Sequence, residues 1–218
     1  MFRSALGWSL GLQYDLQGDT SSNTLGFKFA QFGASHSKDF DVYVWATELR
    51  IFYEHWRSLK NKNWQVGAYL DHGFFITDRD IPFFYISEDN PSSSYLVWSS
   101  LGLAGRYHKA LDKNWNVQLK AAFPLLAFTE RPGYSFVFPE EHYDDNDDFL
   151  LFQADYFKRA QFRTLTQFTN LQLQAGLQRR IGQRNNSLGV NYQWSYLFAG
   201  GTKPLFRFNH HFTIVYQF

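Results

Sequence analysis

Residues 210–218 read HHFTIVYQF, and stepping back in twos from Phe218 gives Tyr216, Ile214, Phe212 and His210, with Gln217, Val215, Thr213 and His211 between them. One face is almost wholly apolar and the other mostly polar, which is the two-residue period of a β-strand. Chain ends commonly fray. A patterned strand that closes on phenylalanine therefore predicts an end that is buried or embedded, and the rest of the chain says in what.

The same period recurs along nearly the whole sequence, with no comparable helical stripe. Leu6, Trp8, Leu10, Leu12, Tyr14 and Leu16 stand opposite Gly7, Ser9, Gly11, Gln13 and Asp15. Tyr43, Trp45, Leu49, Ile51 and Tyr53 stand opposite Ala46, Glu48, Arg50 and Glu54, and Trp64, Val66, Ala68 and Leu70 opposite Gln65, Gly67, Tyr69 and Asp71. Tyr95 to Leu103, Trp115 to Phe123, Leu171 to Leu177 and Leu188 to Tyr196 repeat the rule, and the final strand makes eight segments. Many of them have the roughly ten residues that a tilted strand needs to cross a bilayer.

Composition fits a wall between two media. Aromatic residues make up 20% of the 218 residues, yet mean hydropathy is −0.39. No run approaches the roughly eighteen apolar residues of a membrane helix, which excludes a helical membrane protein but not a barrel. A formal net charge of +1 offers no reason to expect nucleic acid as partner. The absence of cysteine removes disulfides, thiol chemistry and cysteine metal sites together, and nothing in the chain calls for a cofactor. The opening MFRSALGWSLGL alternates and lacks a small-residue cleavage site, so it reads as a first strand. An exported chain of this kind would already have lost its signal peptide.

The two faces choose between barrel types. A soluble sandwich or lipocalin-like barrel turns its aliphatic face inward. Here the polar face is rich in Gln, Asn, Gly and Ser and carries Glu48, Arg50, Asp71, Arg106, Lys120 and Arg207, while the other is rich in leucine and in rings near segment ends. A membrane barrel with a polar interior and interfacial aromatics accounts for both. Links alternate in length as well: short at Lys60 to Asn63, Ala110 to Asn114 and Gly182 to Asn186, long at about 17–40, 78–94 and 129–161. Two short links lead into the echo KNWQV (62–66) and KNWNV (113–117), each setting a Trp beside the turn.

The closing strand FTIVYQF with its terminal Phe218, the alternating strands and the rhythm of short and long links together resemble Gram-negative outer-membrane β-barrel proteins. The resemblance covers residues 1–218 as one domain and is specific for the architecture, not for a subfamily. It implies a bacterial outer-membrane location, contact with membrane lipid and lipopolysaccharide, and recognition by the barrel-assembly machinery through the C-terminal strand ending in Phe218. With the C-terminus periplasmic, the alternating links place the N-terminus there too, so the strand count is even. The expected fold is all-β, a transmembrane antiparallel up-and-down barrel. Eight strands is the first choice, and Leu25 to Phe32 and Phe149 to Phe157 would raise the count to ten, with twelve a further alternative.

Motifs for chemistry are few. GWSLG at Gly7 to Gly11 matches the nucleophile-elbow pattern, but an elbow needs a strand, a sharp turn and a helix, whereas Ser9 sits inside an alternating strand. His210 and His211 point to opposite faces and cannot share one ion. The acidic run PEEHYDDNDDF (139–149) gathers Glu140, Glu141, Asp144, Asp145, Asp147 and Asp148 around His142, a candidate cation-binding loop with Asp144, Asn146 and Asp148 spaced like part of a calcium loop. Its glycine and closing glutamate are missing, so a solvated acidic loop is the plainer reading.

Three functions follow. The first is a narrow channel for small solutes lined by Glu48, Arg50, Asp71, Arg106, Lys120 and Arg207. The second is a non-conducting barrel scaffold whose outer loops bind a surface partner or lipopolysaccharide. The third, a lipid-modifying enzyme, needs an outward nucleophile beside an outward base, and the sequence alone assembles no such pair.

Overall fold

The computed structural model describes residues 2–36, 43–61, 63–80, 93–130, 160–181, 186–200 and 205–217. Ten antiparallel strands form one curled sheet: β1 (Phe2–Gln17), β2 (Ser21–His36), β3 (Tyr43–Ser58), β4 (Trp64–Asp80), β5 (Ser93–Ala110), β6 (Trp115–Glu130), β7 (Gln161–Thr164), β8 (Phe168–Arg180), β9 (Ser187–Ala199) and β10 (Leu205–Gln217). Their order is β1-β2-β3-β4-β5-β6-β8-β9-β10, an up-and-down meander, with the short β7 also on β6.

β7 and β8 occupy one position in the wall. Gln161–Thr164 pair with Thr129–Leu126 of β6, and Gln172–Arg179 with Ala122–Trp115 of the same strand. The cause of the break lies opposite, at Pro124, which has no amide hydrogen to give to a ladder. The β5–β6 register also shifts there, skipping one residue between Pro124 and Leu126, and such a bulge lets the sheet bend.

One expectation is corrected by this topology. The stretch 17–40 is not a long loop, because Ser21–His36 is strand β2 and only residues 18–20 join it to β1. In that turn Gly18 N–H donates to Ser21 O at 2.8 Å, and Ser58 N–H donates to Thr20 O across to the β3 end. With β2 added, the described residues hold ten strands on nine positions of the path, and Leu25 to Phe32 is a strand, as the alternative reading of that stretch has it. An odd path also separates its ends: Phe2 lies at the end of the sheet away from the 18–20, 59–63, 111–114 and 181–186 links, and Gln217 lies at the end that holds them. The Phe149 to Phe157 segment lies outside the described residues.

Side-chain direction follows the two-residue period. Leu12, Phe212 and Ile214 are 72%, 77% and 77% exposed on the convex side, in a continuous apolar surface with Leu70, Leu103, Leu173 and Val190. Glu48, Arg50, Glu54 and Asp71 are buried on the concave side. The echoed turns cap themselves: Asp112 Oδ1 accepts from the amides of Asn114 and Trp115 at 2.7 and 2.8 Å. Trp64 stands outward against Tyr107, with ring centroids 4.8 Å apart.

Candidate functional site

The concave face is the candidate site, and all six lumen residues expected from the sequence fall there. Five of the six stand in ion pairs, Arg50 with Asp71, Lys120 with Glu54 and Arg207 with Glu48, and Arg106 is held by two neutral acceptors. Asp71 on β4 is the hub: its Oδ1 accepts from Arg50 Nε of β3 at 2.9 Å, and its Oδ2 accepts from Trp98 Nε1 of β5 at 2.9 Å and from Asn170 Nδ2 of β8 at 3.2 Å. The Asp71 side chain is fully buried and that of Arg50 is 9% exposed. One carboxylate thus ties four strands, in surroundings where an unmatched charge would be costly.

Two further ion pairs fasten β3 to the far wall. Lys120 Nζ of β6 pairs with Glu54. Arg207 Nη2 of β10 pairs with Glu48 Oε2 at 2.5 Å. Arg106 on β5 donates through Nε to Gln65 Oε1 and through Nη2 to Ser22 Oγ of β2, the latter at 2.6 Å.

Rings fill the space between the charges. Trp56, Tyr69, Ala104 and Ala122 form one buried cluster, and Phe75, Leu96, Trp98, Phe168 and Leu197 belong to another. The Arg106 guanidinium lies 4.4 Å from the Trp56 ring centroid, and that of Arg207 lies 4.4 Å from Phe75. Cations over aromatic faces gain further attraction when water is excluded. Sequence alternation identified the acidic and basic members. It placed Asn170 on the polar face without its partner, and it missed Trp56, Phe75, Trp98 and Phe168, whose types alone do not assign a face.

The convex face holds a second arrangement that the sequence could not assemble. His72 of β4 and Ser99 of β5 are directly opposite in register, and both point outward. His72 Nδ1 and Ser99 Oγ are 2.8 Å apart. They lie in mid-strand between Leu70, Phe74 and Leu101, so a hydroxyl and an imidazole meet on an otherwise apolar wall. His210 also faces outward, with Nδ1 2.7 Å from the Tyr192 hydroxyl. Ser9 stays inside β1, opposite Ala30 of β2, without the turn an elbow requires.

Glu140, Glu141, Asp144, Asp145, Asp147 and Asp148 lie outside the described residues. Among the described residues no group of three or more His, Cys, Asp or Glu side chains is placed to hold a metal ion. No family model matches the chain, and no curated protein or solved structure matches it either.

Proposed function

We propose that this chain is an integral bacterial outer-membrane barrel with an occluded interior, serving as a non-conducting scaffold at the cell surface. One observation carries the choice of scaffold over channel: five of the six candidate lumen charges are ion-paired and the sixth, Arg106, is hydrogen-bonded, and these contacts span β2 to β10 with aromatic rings packed between them. A solute path would need these pairs to stay hydrated and apart. The membrane part of the reading is supported by the exposed convex wall, since a continuous apolar surface of this extent is expected to meet lipid or protein.

On this reading β10 is the strand presented to the assembly machinery, and the long links between β4 and β5 and between β6 and β7 emerge together on the outer side, toward lipopolysaccharide or a protein partner. Planar-bilayer recording on the refolded chain tests the scaffold. A folded, inserted protein that gives no conductance steps is the expected result. Reproducible steps that change when Arg106 or Lys120 is neutralised would overturn it in favour of the narrow channel.

A second reading has its own observation. The outward Ser99–His72 contact is the nucleophile–base pair that a lipid-ester hydrolase needs. In that reaction Ser99 Oγ attacks the ester carbonyl, His72 takes its proton and returns it to the leaving alcohol, and water then releases the acyl group. Labelling of the wild-type chain by a fluorophosphonate, lost in Ser99→Ala and in His72→Ala, would support it. Absence of labelling in lipid would leave the pair as a hydrogen bond that satisfies two polar groups on an apolar wall.

A further inference from the structure

We infer that the concave side of the sheet carries a binding position for one small monovalent anion of the chloride class, held by Lys28 of β2 and His211 of β10 in the field of Arg207. The inference uses the curl of the sheet alone and stands apart from the choice between scaffold, channel and hydrolase. Charge gives the first argument. Lys28 is half-buried on the inward parity of β2, between Gly26 and Ala30, and among the described residues its ammonium has no ion pair or hydrogen bond. The charges that bear on it are Glu48, Arg50, Arg207 and Asp71. Both carboxylates are already engaged, Glu48 by Arg207 and Asp71 by Arg50. With Lys28, three cations therefore face two carboxylates, and one positive charge is left over. In a low-dielectric interior such a charge is costly until an opposite charge joins it.

Convergence gives the second. β2 and β10 are far apart along the sheet, yet its curl brings their inward side chains together. The Arg207 guanidinium lies 5.9 Å from the Phe32 ring of β2, and of the charges acting on His211 that of Lys28 is the largest. His211 faces inward opposite Gln193 of β9. Its ring has no hydrogen-bond partner among the described residues, and either neutral tautomer has an N–H to give. Arg207 gives Nη2 to Glu48 and, with the Asn209 amide oriented to suit, Nε and Nη2 to Asn209 Oδ1, while Nη1 is buried and has no acceptor. Unused donors from two strands thus collect where positive charge is in excess.

Space gives the third. Lys28 stands directly opposite Gly11 of β1, which brings no side chain to this face. Chain neighbours aside, a Cβ built on Gly11 would meet only the Phe27 carbonyl oxygen. Ser9 and Gln13, the inward residues on either side of it, are exposed. The wall beside Lys28 therefore leaves room for an ion that water can deliver. The other inward carboxylates in this half of the sheet are engaged elsewhere: Asp15 accepts from Thr24 and Gln13, and Glu54 holds Lys120. A divalent anion would exceed the single spare charge and meet repulsion from Glu48 and Asp71, so the position selects one negative charge.

The probe is chloride. The full chain is refolded in detergent micelles, and urea unfolding is followed by tryptophan fluorescence while chloride replaces gluconate, an anion too bulky for the position. Ionic strength is held constant, which removes general screening from the comparison. Above half-saturation, each tenfold rise in chloride should raise the folded-to-unfolded ratio about tenfold, as mass action requires for one ion bound only by the folded state. Bromide should act in its place. In Lys28→Met the dependence should vanish, and in gluconate this variant should be at least as stable as the wild type, because an unmatched charge has gone. Lys60→Met, at an exposed link, should keep the full dependence.

Broadening of the chloride magnetic resonance by the folded chain gives a reading that needs no unfolding. It should be lost in Lys28→Met, and His211→Ala should weaken chloride binding about tenfold, the value of a hydrogen bond to a charged group. A wild-type midpoint indifferent to chloride would mean that the chain's own groups, the carboxylates of 139–149 among them, complete the charge balance, and would overturn the site. A dependence that persists in Lys28→Met, or that disappears equally in Lys60→Met, would overturn it too. If Lys28→Met does not fold, the wild-type titration and His211→Ala decide by the same criteria. Conductance recording reports separately on the scaffold, so either reading can fail alone.

Discussion

Replacing Asp71 by Ala removes the one carboxylate that Arg50, Trp98 and Asn170 share, and the size of the loss tells whether the interior is dry. Arg50 would be left with a side chain 9% exposed and without its hydrogen-bonded counter-charge, with Glu48 the remaining carboxylate acting on it. Breaking a buried pair from one side costs about 3–5 kcal/mol, and the orphaned Trp98 Nε1–H adds about 1–3 kcal/mol, so roughly 5 kcal/mol is expected for the single change. With a urea slope of about 2 kcal/mol/M, the unfolding midpoint should fall by roughly 2.5 M.

The companion variant, Arg50→Met with Asp71→Leu, removes both charges but still orphans Trp98 Nε1–H, so its loss should shrink to about 1–3 kcal/mol. The assay is urea unfolding in lipid vesicles, followed by tryptophan fluorescence and by the shift between folded and unfolded bands on unheated gels. A midpoint shift below about 0.5 M for Asp71→Ala, equivalent to about 1 kcal/mol, would match a solvent-screened pair. That result would refute the dry interior and return the channel reading.

Further outcomes follow from the same geometry. Gly73→Ala should cost about 1–3 kcal/mol, because a Cβ there would overlap the buried Trp98 indole and push its Nε1 away from Asp71; combined with Trp98→Phe the loss should shrink, read by the same urea titration. Arg placed at Leu173 or Tyr192 should impair insertion by roughly 2–4 kcal/mol if the residue meets lipid near the midplane, while Arg at Gln174 or Asn191 should be milder, and equal tolerance in a vesicle-insertion assay would reverse the faces. Arg207→Ala should destabilise more than Arg179→Ala, since Arg207 is paired with buried Glu48 and Arg179 lies over the Trp115 ring beside a turn; thermal unfolding of the two variants compares them. Millimolar calcium should raise the melting temperature and slow proteolysis of the acidic 139–149 stretch if that stretch bridges cations to lipopolysaccharide, and an unchanged digest would dismiss the bridge.

The all-β meander was legible because strands such as Leu188 to Tyr196 keep large apolar residues on one parity and Gly189, Asn191, Gln193 and Ser195 on the other. β2 was harder to read for a physical reason. Its inward parity, Ser22, Thr24, Gly26, Lys28 and Ala30, is polar or small and Leu25, Phe27 and Phe29 face outward, but Ser21, Asn23 and Gln31 share the outward parity and Phe32 the inward one, so the alternation is clear only in mid-strand. Reading Leu25 to Phe32 as a strand, the alternative the sequence offers, gives the order the sheet has.

The interior charges were assignable to a face from alternation alone, but their partners were not. Alternation fixes direction, whereas the contact of Asp71 with Asn170 depends on how sharply the sheet curls. The Ser99–His72 contact was hidden likewise, because it needs the β4–β5 register. Pro124 was visible in the sequence, and its consequence, a wall position split into β7 and β8, emerged only once β6 was known to be paired on both sides.

The pairing of Arg207 with Glu48 joins residues 159 apart in the chain, and this separation bears on the order in which the molecule is made. Glu48 enters with the third strand and its cation with the last, so for most of assembly the carboxylate has no final partner and needs water beside it. Contacts of such range are late and slow to form. Drying of the interior is thereby tied to arrival of the closing hairpin. A chain stopped before β10 should hold a wet, loosely curled sheet in which Glu48 stays hydrated.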